Sequence, residues 1–277
     1  MNRIISVSTC LLAATAASAA PIYSSRGEVP VESRWKLEDI YASVDLWEAD
    51  ALEAEKLARE LAARRGRVAL GHRAGTEALR EIIRSSSDIG IQALSLYAIS
   101  TENWSRPQAE VDALMQLILD FFMSEIDELT QKNVRITILG EKDALPREQR
   151  DALLLAEART RANTGLRLNI AINYGGRAEL ARAARELAQE VRDGKREPSS
   201  ITEEALSQHL YTAGMPNVDL LIRTSGEMRL SNFLLYQCAY AEFVFPAVLW
   251  PDFTLRQYHE CIAQYQSRDR RFGNRAR

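Results

Sequence analysis

A chain of 277 residues is long enough for one large domain or two modest ones, and 46% hydrophobic with 26% charged content describes an ordinary globular protein. The net charge of −3 lacks the basic footprint of a nucleic-acid binder. Three scattered cysteines, Cys10, Cys238 and Cys261, are too few for a disulfide framework or a zinc site, and the apolar text around Cys238 and Cys261 predicts buried thiols.

The chain opens with a basic residue, an apolar stretch and the triplet Ala17-Ser18-Ala19, the pattern of a secretory signal peptide. Residues 1–19 are therefore expected to stand outside the fold as a leader. Residues 20–70 form an atypical segment, in which the Ala-, Leu- and Glu-rich text of 45–65 predicts a helix. Nothing downstream is long and apolar enough to span a bilayer.

From about Gly71 helices alternate with short apolar strands, which marks 71–277 as the main domain. His72 precedes a helix expected over 74–87, where a cap or surface role competes with a catalytic one. The run 91–100 reads as a buried strand. Residues 108–131 read as a long helix whose apolar face comprises Val111, Leu114, Met115, Ile118, Leu119, Phe122 and Ile126. Further strands are expected over 134–139, 166–173 and 218–224. Further helices are expected over 146–162 behind Pro146, over 177–194 closing at Gly194, and over 255–268. Thr202 opens a short helix as a weak capping signal. Such alternation predicts an α/β fold, a mostly parallel central sheet flanked by helices.

Ligands of such sheets bind beyond the carboxyl ends of the strands. Three loops fall there: Ser100 to Arg106, Asn173 to Arg177, and Arg223 to Ser231. They supply Arg106, Arg177, Arg223 and Arg229, several hydroxyls, and glycines that would let backbone N–H groups approach an anion. Guanidinium forks beside such donors suit phosphate or diphosphate, although any one arginine alone is more often a solvated charge. Trp104 reads more readily as a buried anchor than as a stacking platform. No phosphate-binding Gly-rich loop ending in Lys-Ser/Thr, no Gly-x-Gly-x-x-Gly turn, no Asp-Asp pair and no His-Glu-x-x-His occurs in the sequence.

The texts "GHRAG", "YAISTENWSRP", "NVRITILG", "NIAINYGGR", "VDLLIRTSGEMRLSNFLLYQ", "LWPDF" and "RDRRFG" carry a dense similarity over residues 71–273. On these the chain resembles the cis-prenyltransferases, specifically the undecaprenyl diphosphate synthase group. The resemblance implies a cis-prenyltransferase-like α/β fold and condensation of isopentenyl diphosphate with an allylic diphosphate such as farnesyl diphosphate, assisted by Mg2+. It assigns Arg223, Arg229 and Ser231 to isopentenyl diphosphate and Glu242 to the metal. Ser100, Asn103, Trp104 and Arg106 fall in the loop that closes over the reacting ends, with Asn103 and His72 as catalytic candidates. Helix 108–131 and the strand holding Leu139 would line the tunnel for the growing chain. A cytoplasmic homodimer, contacted through the segment around "RRFG", and a product that partitions to membrane are also implied; the cytoplasm conflicts with a secretory leader.

One departure is large. The family's first strand ends in Asp-Gly-Asn-Gly-Arg-Trp-Ala, whose aspartate is its main magnesium carboxylate, and no Asp-Gly-Asn occurs here. Residues 33–63 instead faintly resemble the helical start of an oligoendopeptidase. A sheet lacking its first strand, and a catalytically silent diphosphate-binding or regulatory subunit, are the corresponding alternatives.

Overall fold

The computed structural model describes residues 4–8 and 68–268. The helix expected over 45–65 and the thiol of Cys10 lie outside them. Contacts between Cα atoms divide the chain into two compact units, one of residues 1–11 with 74–277, the other of 12–73. Of the second unit the described part, 68–73, is the start of a helix.

Among the described residues the first unit is built on six strands, β1 (Ile4–Ser8), β2 (Ala93–Ser100), β3 (Arg135–Leu139), β4 (Arg167–Tyr174), β5 (Leu220–Arg223) and β6 (Glu242–Val244). They form one sheet in the order β3-β4-β2-β1-β5-β6, and every neighbouring pair is parallel. The helices are α1 (Val68–Asp88), α2 (Gln108–Gln131), α3 (Arg147–Thr160), α4 (Gly176–Arg192), α5 (Glu203–Ser207) and α6 (Leu255–Gln266). Interior parallel strands are covered on both faces and so read as continuous apolar runs. β4 is buried from Leu168 to Tyr174, and all four residues of β5 are buried.

Two expectations are corrected at the front of the chain. Residues Ile4–Ser8, read as part of a leader outside the fold, are placed as the interior strand between β2 and β5, with Ile5 opposite both Leu94 and Leu220. The sheet thus has a strand at the position that the resemblance suggested was vacant. Ile4, Ile5 and Val7 explain the ambiguity, because a short β-branched run suits an interior strand as well as a leader's apolar stretch. The first helix also begins earlier than expected, so His72 stands within α1 and not ahead of it.

The expected stripe of α2 is buried throughout, from Val111 to Ile126. On the other face of the sheet Phe233 stacks on Tyr97 with ring centroids 4.6 Å apart and meets Tyr174 edge-on at 6.0 Å. Leu139 belongs to this second cluster. Beneath it, the buried Glu179 carboxylate accepts from the Tyr174 hydroxyl at 2.5 Å, the Tyr211 amide at 2.8 Å and the Gln237 side chain at 3.2 Å, so its lone pairs are satisfied. Cys238 and Cys261 are buried free thiols, as expected, and burial pushes them up to about 12 and about 11. Thr202 does cap α5, accepting from the Ala205 amide.

Candidate diphosphate site

The three strand-end loops meet at the carboxyl end of the sheet, and Asn232 is their common partner. Its side-chain amide donates to Glu102 at 2.8 Å, its side-chain oxygen accepts from the Arg177 amide at 2.8 Å, and its backbone oxygen accepts from the Gly176 amide at 2.7 Å. Glycine at 175 and 176 is what permits this approach. A Cβ on Gly175 would lie 2.7 Å from both the Asn232 side chain and the Thr101 hydroxyl, and one on Gly176 would lie 2.8 Å from Leu235. The glycines thus serve loop against loop. The Gly176 and Arg177 amides, expected to face an anion, are already taken by Asn232.

Arg223 ends β5 and its side chain is 2% exposed. Its Nη1 donates to the Arg229 carbonyl and to the Ser231 hydroxyl, both at 2.8 Å, while Nη2 pairs with Glu227. Its buried Nε has no partner. Arg229 is 62% exposed and reaches the same Glu227 carboxylate at 2.7 Å. The loop therefore wraps around a buried guanidinium. Ser225, Gly226, Ser231, Asn232 and Leu234 adopt positive φ to make the wrap, with amides of 225 and 226 fastened to the carbonyls of Val248 and Pro246.

Burial alone would raise the Glu227 carboxyl, but the Arg223 and Arg229 guanidiniums hold it below the usual carboxylate range. Its folded pKa is thus lower than its unfolded one. The stabilisation is complete above the unfolded value and is lost as pH falls through the folded value. Urea unfolding across an acid pH series should show this loss in the wild type and a flatter profile in Glu227→Gln.

Tyr97, Ala98, Ser100, Glu102, Asn103, Ser231 and Asn232 line a cleft of about 340 Å³. Asn103 is fixed by accepting from the Ser100 amide at 2.8 Å, within a 3-10 turn over Thr101–Ser105. Trp104 is half-buried and donates to the Asn173 side chain at 2.6 Å, an anchoring contact. Ser100, Asn103 and Ser231 are therefore brought together, and Ser231 links the cleft to Arg223.

Other expected residues stand apart. Arg106 is paired with Glu110 at 2.7 Å in the first turn of α2. The side chain of Arg177 is exposed. The side chain of His72, and residues 269–277 with the "RRFG" text, lie outside the described residues. Glu242 starts β6 opposite Leu220, three residues before the level of Arg223, which is about 10 Å along a parallel strand. Its carboxylate is held by Arg268 at 2.7 Å.

A narrow apolar slot enclosing about 50 Å³ lies on the α2 face of the sheet, walled by Leu96, Ala98, Ile118, Phe121, Phe122 and Trp250 among others. The strand holding Leu139, β3, is expected to help line the tunnel; the sheet residues on this slot are Leu96 and Ala98 of β2 and Ile170 of β4, and Leu139, in register with Ala171, belongs to the cluster on the opposite face.

The sequence matches the model of the prenyltransferase family described as undecaprenyl diphosphate synthase over residues 58–273. It is 51% identical over 205 residues to the isoprenyl transferase of Geobacillus kaustophilus, covering 74% of this chain and 80% of that protein. It is 47% identical over 204 residues to the isoprenyl transferase of Clostridium perfringens, covering 74% and 81%. Among solved structures, the fold resembles lavandulyl diphosphate synthase from Lavandula x intermedia in complex with dimethylallyl diphosphate, with a TM-score of 0.74 and 39% identity over 78% of this chain and 94% of that one. It also resembles the crystal structure of a probable undecaprenyl diphosphate synthase from Campylobacter jejuni, with a TM-score of 0.65 and 33% identity over 73% of this chain and 92% of that one.

Proposed function

The chain belongs to the undecaprenyl diphosphate synthase family of prenyltransferases, and from that premise we propose that it condenses isopentenyl diphosphate with an allylic diphosphate such as farnesyl diphosphate to give a cis-polyprenyl diphosphate. The observation that carries the reading is the buried Arg223 guanidinium, gripped by the Arg229 backbone and by Ser231, which itself lines the cleft. Arg223 supplies fixed positive charge in a site of low exposure, where an anion is held more strongly than in water. Arg229, mostly exposed, exchanges its contact with Glu227 for diphosphate oxygens, and Ser231 adds a hydroxyl. Ser100 and Asn103 present polar groups across the cleft, Trp104 pins their turn to β4, and the apolar slot beside Ala98 takes prenyl carbon. Homodimerisation and partition of the product into membrane belong to the same proposal.

The Mg2+ that the resemblance implies does not fit the described residues. No group of three or more His, Cys, Asp or Glu stands together among them. Glu242 is occupied by Arg268, and Glu227 by two arginines. A second reading, a catalytically silent diphosphate-binding or regulatory subunit, rests on the lack of an Asp-Gly-Asn text in the sequence. Incorporation of radiolabelled isopentenyl diphosphate into butanol-extractable product, by the full chain with farnesyl diphosphate and Mg2+, separates the two. Turnover abolished by Arg229→Ala supports the enzyme. Absence of turnover by a protein that still binds isopentenyl diphosphate supports the silent subunit.

A further inference from the structure

We infer that His209 is a proton-operated clasp: as the imidazolium it fastens the segment 203–212 to α4 through Glu190, and loss of its proton undoes one of the two bonds that hold it. Nδ1 of His209 stands 2.8 Å from the Ala205 carbonyl, and Nε2 stands 2.9 Å from a carboxylate oxygen of Glu190 on α4. A carbonyl and an ionised carboxylate only accept, so each ring nitrogen must carry a hydrogen, and only the charged imidazole has both. Arg196 binds the other Glu190 oxygen at 2.6 Å. Arg196 and then His209 hold this carboxyl below the usual carboxylate range, so Glu190 does not supply the bridging proton itself. The neutral ring would leave one of the two acceptors facing a bare lone pair.

The clasp sits on a segment that backs the chain beyond the arginine loop. Arg182 lies over the Tyr211 ring, 4.0 Å from its centroid, and donates to the His209 carbonyl at 2.7 Å. Gln237 donates to the Thr212 hydroxyl at 2.9 Å, and the Tyr236 hydroxyl to the Glu203 carbonyl at 3.1 Å. The charged groups about the ring are Glu186, Glu190, Arg182 and Arg185 of α4 and Arg196 of the connection after it, with Glu203 and Glu204 opening α5. Bonding to Ala205, and then to Glu190, holds the imidazole above its ordinary range against the opposing effect of burial. The folded pKa thus exceeds the unfolded one. The stabilisation is complete below the unfolded value and is lost as pH rises through the folded value, the opposite sense to Glu227.

Two measurements on the full chain test the clasp together. Proton NMR follows the three histidines, His72, His209 and His259, through a pH titration, and the signal absent from His209→Gln is that of His209. Its midpoint should lie above the ordinary imidazole value, and Glu190→Gln should lower it. Amide hydrogen exchange of Leu206 to Leu210, corrected for the intrinsic pH dependence, should lose protection as pH rises through that midpoint in the wild type. In His209→Gln this step should be missing. A midpoint at or below the ordinary value, one unmoved by Glu190→Gln, or protection that is flat through the titration each overturns the inference. Circular dichroism shows whether His209→Gln is folded. Where it is not, His72→Gln and His259→Gln assign the signals by elimination, and Glu190→Gln, whose side chain is at the surface, should move the exchange step to lower pH.

Discussion

Arg223→Ala is expected to destabilise the protein by about 3 kcal/mol and to abolish binding of isopentenyl diphosphate. The side chain is almost wholly buried, and its removal leaves Glu227, the Arg229 carbonyl and the Ser231 hydroxyl facing a cavity. The positive-φ loop from Ser225 to Ser231 closes around this one guanidinium, so its loss also releases Arg229. Urea unfolding measures the first effect and calorimetry the second. Arg223→Lys separates them. A lysine keeps the charge but has no planar fork to bridge Glu227 and Ser231 together, so stability should recover more than affinity. Equal recovery of both would show that the fork geometry is immaterial to the ligand.

Phe233→Ala is expected to cost about 3–5 kcal/mol, the range for truncating a buried aromatic. Phe233 is fully buried, stacked on Tyr97 and edge-on to Tyr174, and it directly follows Asn232, the residue that ties the three loops together. The cavity therefore opens under the site. Chemical denaturation should report the loss, and isopentenyl diphosphate affinity should fall with it because Ser231 and Asn232 lose their support. Phe233→Leu, which keeps most of the volume, should recover much of both. A Phe233→Ala protein of unchanged stability would show that the stacked cluster is not what holds the loop.

Much of this was legible in the sequence because the physics is local. The α2 helix, Gln108–Gln131, follows from its apolar period and from Pro107 ahead of it, and its stripe is buried as read. The strands under Tyr97 and Ala171 follow from continuous apolar runs. The arginine loop was visible as a cluster of donors at a strand end. What stayed hidden depends on partners distant in sequence. β6 is three residues long, half-exposed at two of them, and carries no period to detect. Asn232 is silent as a lone residue, since its function lies in meeting Glu102, Gly176 and Arg177. The level of Glu242 against Arg223 is a property of strand register. The Arg106–Glu110 pair is a contact that local reasoning could have caught, since the two residues stand at the i,i+4 spacing of a helical ion pair.

A crystal structure of the protein grown with isopentenyl diphosphate is the most direct test of the central claim. The account predicts the diphosphate on Arg223, Arg229 and Ser231, with Glu227 turned away from Arg229 and the prenyl carbons directed toward the slot at Ala98. Diphosphate bound elsewhere, with the Glu227 bridge between the two arginines intact, would contradict it.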